Sequence, residues 1–173
     1  MFLIKTIAFL WSCNLQTGGI LMIDEKAGLA TLNDLILINN DRIAGFERAT
    51  GELNDDDTDL KLTFTNLIAQ SHQFKMEIAT EVAALGADLA EGTTTGGTIH
   101  RTWLDVKAAF AGHSTHSILE DCEFGEDAIK KAYKSALEDE NIPAYIQEIL
   151  IAQQVKLNSA HDLIKGLRDS VNK

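Results

Sequence analysis

The chain has 173 residues, enough for one domain with a real core, and carries a formal net charge of −11. An acidic excess of this size argues against nucleic acid or an anionic membrane surface as a partner. Hydrophobic residues make up 45%, with one proline and two cysteines, so the chain is neither disordered nor a disulfide scaffold, and its long breaker-free stretches favour helices.

Residues 1–21, MFLIKTIAFLWSCNLQTGGIL, stand apart. Their apolar run is too short and interrupted to span a bilayer as a helix. Lys5, the apolar run and Cys13 loosely suggest a secretion signal with a lipid-attachment cysteine, but bulky Trp11 sits beside the would-be cleavage site. The plainer reading is an extension upstream of a start at Met22. The domain then spans 22–173 and the protein is cytoplasmic; a genuine signal would make it exported.

The first helix is expected over 32–49. Thr31 and Asp34 resemble a capping box with Asp in place of Glu. Leu32, Leu35, Ile36, Ile43 and Phe46 form an apolar stripe at helical spacing, interrupted by Asn39 and Asn40. The acidic turn GELNDDD leads into a second helix over 58–84. Leu60, Phe64, Leu67, Phe74, Ile78, Val82 and Leu85 mark its core face, Ser71 interrupts it and Gly86 closes it. Residues 86–97 read as a loop, and their GTTTGG lacks the Lys-Ser/Thr ending of a phosphate-binding loop. A short helix over 99–111 follows, with Trp103, Leu104, Val106 and Phe110 as a cover for the bundle or a dimer contact. His100, His113 and His116 lie near it without supporting carboxylate spacing and read as solvated.

The third helix is expected over 117–139, opened by Ser117-x-x-Glu120 as a capping box. Ile118, Cys122, Ile129, Tyr133 and Ala136 form its stripe, and Glu126 falls inside it. A carboxylate facing a core must be paired, protonated or bound to a cation, because leaving it bare costs several kcal/mol. Cys122 has acidic neighbours, which raise a thiol pKa and leave it inert. Pro143 suits the first position of a fourth helix running to about 171. Ile146, Leu150, Leu157, Ile164 and Leu167 mark its core face, with Gln154 and His161 on or beside it.

Two helical hairpins joined by a long crossover carrying a short extra helix make an all-α, ferritin-like four-helix bundle; an up-down-up-down bundle is the competitor. The ferritin-like connectivity makes the second and third helices parallel. With about 1.5 Å of rise per residue, Asn39 and Asn40 then fall beside residues 66–68, level with Glu126 and Gln154. Asp41, Glu123 and His161 gather around one end of this polar layer. Two chemistries fit. Asp41, Glu123, Glu126 and His161 are candidate ligands for a transition metal, with iron or manganese as the cofactor. Alternatively, the layer is structural, its amides satisfying one another. A di-iron carboxylate bundle takes Glu-x-x-His from each of two helices. The chain has no such motif, Asn158-x-x-His161 being the nearest, so no catalytic residue is assigned and a di-iron oxidoreductase is the least supported reading.

LNDLILINNDRIAGFERA, EVAALGADLAEGTTTGG, RTWLDVKAAFAG, CEFGEDAIKKAYKSAL and AHDLIKGLRDS together resemble an uncharacterised bacterial family of ferritin-like four-helix-bundle proteins, over roughly residues 22–172. The resemblance implies the fold and a start near Met22, and it implies no activity, because the family is a domain of unknown function. Asp41, Glu123, Glu126 and His161 match its polar motif positions. The chain departs at Leu37, where the family carries Glu, and so has one carboxylate fewer for a metal. The expectation is a ferritin-like bundle that binds a metal and serves in stress or metal handling. The alternative is a non-enzymatic module that forms a homo-oligomer, a dimer, through the crossover helix.

Overall fold

The computed structural model describes residues 25–91 and 114–171. They form four long α-helices: α1 (Glu25–Glu52), α2 (Thr58–Ala84), α3 (Thr115–Leu137) and α4 (Ala144–Ser170). The expected leader over 1–21 and the crossover helix over 99–111 lie outside the described residues. Among the described residues, no helix is long and apolar enough to cross a membrane.

Helix directions follow from which residues meet. The Thr31 hydroxyl donates to Asp139 at 2.6 Å, Asn39 to the Tyr133 hydroxyl at 2.9 Å, and Arg42 to Glu126 at 2.7 Å. Numbers fall on α3 as they rise on α1, so the two are antiparallel. Lys75 meets Asn40 and Ser71 meets Arg42, so α2 is antiparallel to α1 as well. Helices α2 and α3 are therefore parallel, as in ferritin-like connectivity. After α2, residues 87–91 fold back on α1, where the Asn33 side chain bonds Asp88 and Ala90.

Several boundaries differ from the sequence reading. Helix α1 starts about two turns before Thr31, whose hydroxyl ties mid-helix to Asp139 instead of capping. The cap of α3 is Ser114, paired reciprocally with Ser117, so the true box lies three residues before Ser117-x-x-Glu120. Pro143 precedes the first residue of α4 by one position. Gly86 ends α2 with φ +75°, a left-handed turn that glycine adopts without strain. Leu85, placed on the core face of α2, is exposed. Asn40 meets Lys75, about two turns from the predicted 66–68.

The apolar interior divides into two clusters. One packs Leu32, Leu35, Phe74, Ile78, Tyr133, Ile146 and Leu150 at the end where α1 begins. The other packs Phe46, Leu53, Phe64, Ile118, Cys122 and Ile164 at the opposite end, with Phe46 and Phe64 ring centroids 5.3 Å apart. Gly28 lets the α3–α4 turn close over α1: a Cβ there would lie 2.5 Å from the Asn141 carbonyl oxygen. Gly45, on the same helix, has nothing within 4 Å of such a Cβ. Alanine should thus act in opposite senses at two helical glycines. Urea unfolding is expected to show Gly28→Ala destabilising by about 1–3 kcal/mol through steric conflict and Gly45→Ala stabilising by about 0.5–1 kcal/mol through helix propensity. Equal effects at the two positions would contradict the packing of the turn on α1.

Candidate functional site: a buried ion pair between two apolar clusters

The residue that sequence reasoning passed over is Arg42. It is 2% exposed and Glu126 is 1% exposed. Arg42 Nε donates to Glu126 Oε1 at 2.7 Å. Its Nη1 donates to Ser71 Oγ at 2.8 Å and to Gln70 Oε1 at 3.1 Å, with the Leu67 carbonyl at 3.4 Å. Its guanidinium carbon lies 5.4 Å from the centroid of the Phe46 ring, one turn up α1, a cation–π contact. Three helices thus converge on one guanidinium, at the level where the two apolar clusters meet.

One turn toward the start of α1 runs a second polar chain. Asn39 Nδ2 donates to the Leu35 carbonyl and to the Tyr133 hydroxyl. That hydroxyl donates to Gln153 Oε1 at 2.8 Å, and Gln153 Nε2 donates to Glu77 Oε2 at 2.7 Å. The buried amide of α4 is therefore Gln153; Gln154, the residue expected in the layer, is only half-buried. Glu77 and Gln153 border a shallow cleft of about 410 Å³ between α2 and α4, lined also by Thr80, Glu81, Ala152 and Lys156.

The four candidate metal ligands part company. Glu126 faces Arg42. Glu123 and His161 come together at the bundle's flank, with Nε2 3.9 Å from the Glu123 carboxylate and 3.1 Å from that of Asp127. Nδ1 of His161 meets Asp162, and Arg168 bonds the other oxygen of Glu123. His161 lies beside Glu123 and Asp127, closer to the middle of the bundle than Glu120. Asp41 is buried on α1 beside Arg42. His116, expected to be solvated, is largely buried and has its Nδ1 3.6 Å from Glu120.

Electrostatics follow from burial. Burial pushes the Glu126 carboxyl upward from its ordinary range, and the charge and hydrogen bond of Arg42 oppose that push. Burial likewise raises the Cys122 thiol, helped by Glu126 and Asp121, which fits an inert packing residue. The Tyr133 phenol is also raised, by burial foremost.

The donor set does not match a metal centre of the ferritin-like type. Such a centre collects several carboxylates and imidazoles around a cation. Here a fixed guanidinium already neutralises the most deeply buried carboxylate, and Ser71 and Gln70 fill its other side. Among the described residues, no group of three or more His, Cys, Asp or Glu is placed to hold a metal.

A family model described as a domain of unknown function, DUF2383, matches residues 28–139, which covers α1, α2 and α3. The chain belongs to this family. No curated protein matches it. Among solved structures, it is similar to a mutant of Dps1 from Mycobacterium smegmatis, with a TM-score of 0.70 and 12% identity over 83% of this chain and 96% of that one. At that identity the likeness shows the fold: a ferritin-like four-helix bundle.

The pair makes a sharp mutational test. Arg42→Met strands a buried carboxylate and is expected to cost about 3–5 kcal/mol, whereas Arg42→Met with Glu126→Leu should unfold near the parent's midpoint or above it. The single variant should also depend on pH. Without Arg42 only the lesser pull of His161 and Lys130 opposes the upward push on Glu126, so the folded state holds that proton to higher pH than the unfolded chain does. Stability from this group is then present below the ordinary carboxyl range and lost as pH rises above it toward the raised folded value. Denaturation midpoints from pH 4 to 8 check this: the deficit should widen with rising pH in Arg42→Met and stay flat in the double variant.

Proposed function

We propose that this protein is a non-enzymatic ferritin-like bundle that works by associating with copies of itself, its polar interior serving structure. The observation that carries the reading is the Arg42–Glu126 pair: a permanent cation of the chain's own sits at 2.7 Å from the carboxylate a metal would need. Support for self-association comes from the outer face of α4, where Ile151 and Val155, one turn apart, are 51% and 61% exposed. Apolar side chains of this size so open to water favour a covering partner. The acidic net charge of −11 and the absence of a membrane-crossing helix among the described residues fit a protein partner better than nucleic acid or lipid.

A metal-handling role is the second reading, and one observation favours it. His161 with Glu123 and Asp127 brings imidazole and carboxylate together from two helices at the flank. This is a different place from the centre, and iron or manganese bound there would draw on Asp127 rather than on Glu126 and Asp41.

Two measurements on the full chain separate the readings. Sedimentation equilibrium is expected to show a dimer or larger species, with Ile151→Glu and Val155→Glu together weakening association at least tenfold, about 1.4 kcal/mol. After anaerobic loading with Fe(II) or Mn(II) and desalting, the protein is expected to keep well under one metal per chain. A monomer at all concentrations would overturn self-association, and stoichiometric metal that disappears in His161→Ala and Asp127→Ala would overturn the proposal in favour of metal handling.

A further inference from the structure

The Arg42–Glu126 pair is made by one prong only. On a guanidinium, the Nε and Nη2 hydrogens project along the same edge, which is why arginine grips a carboxylate with two parallel bonds. Here Nε engages Oε1, yet Nη2 and Oε2 have no hydrogen-bond partner, although both are buried. A third buried atom shares this state, Asn39 Oδ1. Asn39 lies one turn below Arg42 on the same helix. Its Nδ2 is engaged by Leu35 and Tyr133, and its Oδ1 is the branch left without a partner. One donor and two acceptors are thus left open within one turn of α1 and on the carboxylate that faces it.

Leaving such groups bare costs about 1–3 kcal/mol each, more for charged ones. We propose that the layer is a built seat for one internal water molecule, which accepts from Arg42 Nη2 and donates to Glu126 Oε2 and Asn39 Oδ1. The chemistry selects this ligand. A halide cannot donate to a carboxylate, and a metal ion or ammonium cannot accept from a guanidinium. A water does both, and roughly three hydrogen bonds are what a buried water makes. The seat explains why the pair stands open: closing the fork would satisfy two of the atoms and leave the Asn39 oxygen stranded. Bridged by water, the ion pair and the Asn39–Tyr133–Gln153–Glu77 chain become one connected polar layer reaching from α1 to the cleft between α2 and α4.

A high-resolution crystal structure of the full chain tests this. The expected result is one ordered, well-occupied water within hydrogen-bond distance of Arg42 Nη2 and Glu126 Oε2. In solution, a long-lived water should give a cross-relaxation peak to the Arg42 Nε proton. Arg42→Met with Glu126→Leu should lose the water from the crystal density. Two results would overturn the proposal: a two-pronged Arg42–Glu126 bond with no water, or a carbon chemical shift marking Glu126 as a neutral acid that bonds Asn39 directly. Retention of the same water in the double variant would do so as well. If that variant does not fold, the density and the cross-relaxation peak of the unsubstituted protein decide the matter.

Discussion

The guanidinium of Arg42 lies at the seam between two apolar clusters, and the register of three helices depends on where it can find partners. Its bonds run to Glu126 on α3 and to Ser71 and Gln70 on α2, while its own helix supplies Phe46 beneath it. Sliding α2 or α3 by one turn, about 5.4 Å, would leave a buried charge without its partner. Apolar packing alone discriminates less sharply between such registers, since one leucine can replace another across a seam. A buried ion pair adds little net stability over a hydrophobic substitute, because desolvation offsets its attraction, but it penalises wrong alignments severely. The same reasoning accounts for the second chain of polar groups: Tyr133 and Gln153 tie α1 and α3 to α4, and Gln153 reaches Glu77 on α2. Between them the two layers set the height of all four helices.

Much of this was legible from residue spacing, for identifiable reasons. A stripe at helical period reports burial because one face of a helix must leave water, so Glu126 could be placed in the core from Cys122 and Ile129 alone. Direction was legible too, since a connection too long for a hairpin turn makes α2 and α3 parallel. What failed depended on information that periodicity lacks. Arg42 follows a run of polar residues, Asn39, Asn40 and Asp41, and reads as one more solvated charge. The signal available was a need, not a motif: a carboxylate in an apolar stripe wants a cation, and Arg42 is one turn from Asn39, already placed at that height. Gln153 was missed in favour of its neighbour because the two differ by 100° around the helix, which an uncertain register cannot resolve. The α1 boundary slipped because Thr31 and Asp34 have the composition of a cap, while the Thr31 hydroxyl in fact serves a tertiary bond to Asp139.

The site residues separate along the same line. Glu123 and Glu126 are three positions apart on α3, so they share a face loosely but diverge by 60° in direction. That divergence sends Glu126 into the seam and Glu123 to the flank, where Arg168 and His161 meet it. A shared sequence interval therefore does not make a shared site. What decides is whether the neighbouring helices offer ligands or counter-charges at each direction.

A ferritin-like bundle presents four inward faces, and the fold alone says nothing about what chemistry fills them. A metal ion and a guanidinium are alternative answers to one electrostatic problem, the buried carboxylate. They differ in what they permit. A metal retains open coordination positions and exchanges ligands, whereas Arg42 is tied through Nε and Nη1 to Glu126, Ser71 and Gln70 and is always charged. Choosing the side chain over the ion exchanges a reactive centre for a fixed one, with the helices held in the same alignment. On the proposed reading, the work of such a protein lies at its surface, at places like the Ile151–Val155 face of α4.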